Sequence, residues 1–175
     1  VGEFWTELCA RHLPGYARLE QQEMMRIGRQ YGMGLQRLNI LRDAGADLAA
    51  GRCYWPAETL ATVGLSPDLL AQAAHTGHAD TLNTLTPLYN QWLDRTQAQL
   101  ADGMRYAMAL KPLRLRLASA LPALIGIRTV TLLRQTGPLA LTQRVKMPRH
   151  EMRQLMWQIA MGLGSPSTLG RLFQK

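Results

Sequence analysis

Asp43 and Asp47 stand four residues apart in the run Gln36-Arg37-Leu38-Asn39-Ile40-Leu41-Arg42-Asp43-Ala44-Gly45-Ala46-Asp47. On a helix this spacing puts both carboxylates on one face. Magnesium takes oxygen ligands, keeps several waters and typically accepts one or two carboxylates alongside phosphate oxygens. The pair therefore reads as the protein's share of a magnesium site that closes only on a diphosphate. Arg42, and Arg52 just past the helix end, are candidates to neutralise diphosphate charge by bidentate hydrogen bonding. Gly45 and Ala46, both small, would leave room for hydrated ions.

At about 100° per residue, Gln36, Asn39, Asp43 and Asp47 fall within an arc of roughly 80°, and Met25, Arg29 and Gly32 extend it backwards. Ile27, Tyr31, Gly34, Leu38 and Leu41 lie opposite, so a helix from about Leu19 to about Ala50 has an apolar back that must be buried. The ordinary alternative is a solvated face. This stripe, however, carries amides, short carboxylates and a glycine that lets something approach the backbone, in place of the usual Lys and Glu.

The elements around this helix follow from breakers and caps. A helix is expected from Val1 to His12, broken at Pro14-Gly15, and a short one from Pro56 to Thr62. Ser66-Pro67 starts another that ends at Thr76-Gly77. A long helix from Ala79 to Leu110, with Pro87 a place to kink, precedes one from Leu113 to Arg134. Gln135 to Pro148 is expected to be a mobile flap and Arg149 to Met161 the last helix. Leu117 to Leu133 is apolar, but at about 17 residues, interrupted by Pro122 and Arg128, it falls short of the roughly 20 a bilayer needs. A buried helix beside an apolar cavity is the reading.

Composition points to one all-α domain over residues 1–175: 47% hydrophobic, nine Met, two Phe, and no alternating β-branched run. Two cysteines are too few for a disulfide framework and suit a reducing, cytoplasmic setting. Residues 1–102 hold eight Lys/Arg and eleven Asp/Glu, whereas 103–175 hold twelve and one, giving −3 and +11 and recovering the net +8. Such a basic half could attract anionic headgroups, so a peripheral position at the inner face of the membrane is a further expectation. Nucleic acid is not expected, because no stacking aromatics interleave the basic residues. His75 and His78 lack a third zinc ligand, and Gly162-Leu163-Gly164-Ser165-Pro166 lacks the strand and Lys-Ser/Thr of a phosphate loop.

The run Gly34 to Asp43, then Asp47, then Gly51-Arg52-Cys53-Tyr54-Trp55-Pro56, resembles the second aspartate-rich motif of the squalene and phytoene synthases. Val1-Gly2-Glu3 resembles the glycine-containing helix before that motif. Ala120-Leu121-Pro122-Ala123-Leu124 and Val145-Lys146-Met147 are most similar to the squalene branch, in particular the bacterial enzymes. The resemblance implies an isoprenoid-synthase-like helical bundle that joins two farnesyl diphosphates head to head, through presqualene diphosphate, to squalene. It implies Mg²⁺ on Asp43 and Asp47, NADPH held with help from Lys146, and catalytic parts for Gln36, Asn39 and Tyr54. The amide oxygens of Gln36 and Asn39 could turn toward cationic carbon in a dry site. Tyr54 offers a ring face or a hydroxyl, and its alternative role is to anchor the loop. Pro148 stands where a basic residue follows in the family, Arg149 falls one place late, and the tyrosine of many phytoene-type relatives has no counterpart near Ile127. The first aspartate-rich motif is absent, and the chain opens on Val1. The expectation is therefore a C-terminal part of a longer enzyme: an incomplete bundle, inactive alone, with apolar faces at Leu82 to Leu93 and Leu117 to Leu133 partly uncovered. The rival readings are a phytoene or dehydrosqualene synthase that does not reduce its product, and a non-catalytic α-helical lipid-binding or interaction module.

Overall fold

The computed structural model describes residues 1–161 and 165–174. Gly162, Leu163 and Gly164, three of the glycine-run residues discounted above, lie outside them. The described residues form an all-α bundle without a strand. Its helices are α1 (Gly2–His12), α2 (Gln21–Ala49), α3 (Ala57–Ala61), α4 (Pro67–Thr76), α5 (Ala79–Thr84), α6 (Thr86–Ala109), α7 (Leu113–Thr136), α8 (Arg149–Met161) and α9 (Pro166–Gln174), with a 3-10 turn at Gly137–Leu141 after α7.

Helices α2, α6 and α7 form the centre, and α1 lies along α2. The apolar back of α2 is buried as its periodicity requires: Ile27, Tyr31, Leu38, Leu41, Ala44 and Leu48 face inward. From Tyr31 onward they share a cluster with Leu88, Leu93 and Leu100 of α6 and Ala123, Val130 and Leu133 of α7, whereas Ile27 packs with Cys9 of α1 and Tyr106 of α6. Burying a side chain of this size contributes roughly 1.5–3 kcal/mol. Two polar side chains inside this core find partners, whereas, among the described residues, the Trp55 indole N–H and the Tyr89 hydroxyl are buried without one. The Tyr31 hydroxyl donates to the Ser119 carbonyl at 2.7 Å, tying α2 to α7. Arg116 is buried in α7, and its guanidinium donates to the carbonyls of Leu110 (2.9 Å) and Lys111 (3.0 Å). The linker after α1 pairs with the α6–α7 turn through an isolated Ala17–Leu110 bridge.

Several boundaries differ from expectation. The helix expected over Ala79 to Leu110 is two helices, because Pro87 can neither donate to a preceding carbonyl nor fit beside it. The chain turns at Leu85, and Pro87 takes a place in the first turn of α6. The segment expected to be a flap is packed in its first half: α7 continues to Thr136, and Pro138, Ala140 and Leu141 of the 3-10 turn are buried. Helix α9 had no sequence expectation, although Ser165-Pro166 repeats the Ser66-Pro67 start. Ser66 Oγ accepts from the Leu69 amide at 3.1 Å and Ser165 Oγ from the Thr168 amide at 3.2 Å.

Of the apolar faces expected to be partly uncovered, that of Leu82 to Leu93 is buried, whereas on α7 Leu117, Leu121 and Ile127 stay half-buried. Leu82, Leu85, Tyr89 and Leu93 are fully buried, as are Ala123, Val130 and Leu133 on α7. By length and composition, Leu113–Leu141 is long and apolar enough to cross a membrane. Its buried side packs against α6 and α2, as expected of a core helix, and it carries the buried Arg116. Large exposed apolar side chains sit elsewhere, chiefly Phe4 on α1 and Trp157 on α8.

Candidate diphosphate site on helix α2

Because the apolar back of α2 faces the core, its polar stripe faces out. Gln36 and Asn39 are exposed, and Asp43 and Asp47 are half-buried. The glycine on this stripe has a structural partner: a Cβ on Gly32 would lie 3.1 Å from the Gly2 amide nitrogen, so what approaches the backbone is the start of α1.

Each carboxylate is held by an arginine. Arg42 donates from Nε to Asp43 Oδ1 (2.9 Å) and from Nη2 to Oδ2 (2.6 Å). This grip, with weaker attraction from Arg42 and Arg144, holds the Asp43 carboxyl below the usual carboxylate range. Arg52 donates to Asp47 Oδ1 from Nε (3.2 Å) and Nη2 (2.8 Å), and its own amide donates to the Asp47 carbonyl at 2.8 Å. The contact with Asp47, and a smaller one with the Tyr54 hydroxyl, raise the Arg52 guanidinium above its ordinary value. Asp47, Arg52 and Tyr54 thus form one group at the end of α2.

What fixes the loop is Trp55, a motif residue with no expected role at the site. Trp55 is buried, with its ring centroid 5.6 Å from that of Trp92 on α6. The Arg37 guanidinium lies 5.8 Å from the Trp92 centroid and also donates to Gln99, which donates in turn to Gln30. With the neighbouring side chain anchored inward, Tyr54 points out and is about half exposed.

Asp43 also borders a cleft of about 460 Å³ between α2, α4 and the 3-10 turn. Arg42 and Arg144 supply positive charge there, and His75 stands on the α4 side. His75 and Arg144 were not expected at the site. Arg144 belongs to the basic half, but its position depends on how the 3-10 turn packs. His78 has a separate role, its ring Nδ1 accepting from the Thr81 amide at 3.3 Å to cap α5. Gly45 lines the cleft for a reason other than ion space: a Cβ there would lie 2.2 Å from the Leu141 carbonyl oxygen, so the 3-10 turn needs a glycine opposite it.

Two hard oxygen donors on one open face, flanked by guanidinium groups, fit magnesium shared with a diphosphate. Among the described residues no cluster of three or more His, Cys, Asp or Glu forms a site complete without such a ligand. The fit to a nicotinamide cofactor is thinner. Lys146 is exposed two residues beyond Arg144 and, among the described residues, has no hydrogen-bond or ion-pair partner. Val145 beside it is buried in the main core.

No curated protein matches the chain. The family model for squalene/phytoene synthase matches residues 1–151, which include α1 to α7, the whole acidic stripe and the start of α8. The chain belongs to the squalene/phytoene synthase family.

Proposed function

We propose that this chain carries the second acidic wall of a squalene synthase, with magnesium on Asp43 and Asp47 and NADPH as reductant. Membership makes it a head-to-head prenyltransferase at the family level, using prenyl diphosphates. The observation that carries the assignment is the pair of carboxylates on the open face of α2, each already gripped by an arginine. Magnesium, when bound, would neutralise diphosphate charge and favour its departure.

The residues themselves orient and polarise. Arg42 and Arg52 hold their carboxylates on the open side of α2, and further N–H groups on each guanidinium can meet phosphate oxygens. Gln36 and Asn39, two turns and one turn ahead of Asp43, present amide oxygens toward carbon that becomes cationic. Tyr54, beside Arg52, adds a hydroxyl to the same end. Two farnesyl diphosphates, NADPH and a proton would give squalene, two diphosphates and NADP⁺, with presqualene diphosphate between the two ionisations. Lys146 is the residue assigned to the reductant.

The test is chromatography of products from the full-length protein given farnesyl or geranylgeranyl diphosphate, with and without NADPH. Squalene that requires NADPH, and presqualene diphosphate accumulating in Lys146→Ala, are the expected results. A C40 product indifferent to NADPH assigns a phytoene synthase instead. No turnover of either substrate with magnesium present assigns a non-catalytic lipid-binding module.

A further inference from the structure

Among the described residues, helix α8 presents one exposed face that combines basic and large apolar side chains. Leu155 and Ile159 turn inward to Ala120, Leu124 and Leu169. Glu151, the one acid among residues 103–175, is taken by Arg128, whose Nε and Nη2 lie 2.5 and 2.8 Å from its two oxygens. Arg149, Arg153 and Trp157 follow one another at four-residue spacing on the opposite side, with His150 and Met156 beside them. All five are exposed, Trp157 at 69% and Met156 at 47%.

We propose that this outer face of α8 docks the protein reversibly onto an anionic bilayer, the Trp157 indole at the headgroup level and Arg149 and Arg153 on lipid phosphates. An indole is amphipathic and settles at the membrane–water boundary. Arginines a turn apart on the same face reach past their own apolar stems to the headgroups. Charge complementarity selects the occupant: a second copy of this chain would bring two cationic faces together, and a cationic partner would be repelled. Glu151, the acid on this helix, is paired with Arg128 and so does not pair with the outer arginines. The inference is independent of the squalene reading, since neither magnesium nor prenyl diphosphate takes part in it.

The experiment is co-sedimentation of the full-length protein, without magnesium or substrate, with vesicles of phosphatidylcholine containing phosphatidylglycerol, or of phosphatidylcholine alone. Binding to the anionic vesicles only, lost at high salt as screening shortens the reach of the charges, is expected. At about 1 kcal/mol per basic residue near the surface, R149Q/R153Q should weaken partitioning about thirtyfold. Trp157→Ser should weaken it too, and brominated lipid should quench tryptophan emission in the wild type more than in Trp157→Phe. Unchanged helicity and melting temperature in each variant assign the loss to the surface. Equal partitioning of wild type and variants, or no binding to anionic vesicles, overturns the proposal. A loss of self-association in the variants with vesicle binding intact also overturns it, in favour of a second copy.

Discussion

Asp43 and Asp47 share a face of α2, yet their surroundings differ. The Asp43 side chain is 41% exposed and borders the cleft with Arg144, whereas Asp47 is 18% exposed beneath Arg52. Asp43→Asn and Asp47→Asn should each lower kcat/KM of the full-length protein by orders of magnitude with an unchanged circular dichroism spectrum, because neither carboxylate supports the core. Near-normal turnover in either variant removes that residue from the site. Gly45→Ala tests a different account. If Gly45 only made room for ions, its melting temperature would stay put; the 2.2 Å approach to Leu141 predicts destabilisation of about 1–3 kcal/mol from overpacking. The acidic pair was legible because i, i+4 spacing encodes a face. The arginine grips, the Trp55 anchor and the contact at Gly45 were not, because each depends on side-chain conformation or on a chain segment about a hundred residues away.

Among the elements, punctuation in the sequence did most of the predicting. Ser66-Pro67 opened α4 where expected and Gly77 closed it, while the same Ser-Pro signal before α9 went unread. Removing the α4 cap with Ser66→Ala should lower stability by about 1 kcal/mol in chemical denaturation. Pro87 was seen as a kink and is a helix start, since a proline two residues after a turn suits a first turn better than an interior. The 3-10 turn after α7 escaped because its burial comes from α2, α5 and α6, not from any local pattern. Helix α8 is tied to α7 by Arg128 and Glu151, and the hydrogen bond from Arg128 holds the Glu151 carboxyl below its ordinary value. The sign follows from that depression. The pair stabilises the docked helix at pH above the usual glutamate value near 4.3 and is lost as pH falls through the lower folded value. Hydrogen exchange should therefore show α8 opening more often in Glu151→Gln than in the wild type at neutral pH. The difference should vanish in acid, and α2, α6 and α7 should stay protected throughout. Equal protection of α8 in both proteins at neutral pH would mean that its apolar contacts alone hold it.

At the scale of the whole molecule, the helices expected to form an incomplete bundle share a continuous core, although part of the α7 face stays half-buried. One continuous cluster of buried residues runs from Tyr31 on α2 to Val145 beyond the 3-10 turn, taking in α4, α5, α6 and α7 on the way. A second joins α1 to α2 and α6, where Thr6 Oγ1 lies 3.1 Å from the Tyr106 hydroxyl. Burial is the main influence that pushes the Tyr106 hydroxyl up to about 12. Periodicity identified which residues point inward but not what meets them, because the partners of Leu82 to Leu93 come from α2, α4 and the 3-10 turn. Helices that share buried residues cannot lose their packing one at a time, so the chain should unfold in a single transition, with near- and far-ultraviolet circular dichroism coinciding. Leu93 is fully buried at the middle of α6. Leu93→Ala should cost about 2–5 kcal/mol, which at roughly 2–4 °C per kcal/mol for a chain of this length lowers both melting curves together by several degrees. Aromatic signals that collapse well before the helical signal, or a Leu93→Ala shift confined to one probe, would show that the α2–α6–α7 centre does not govern the stability of the whole.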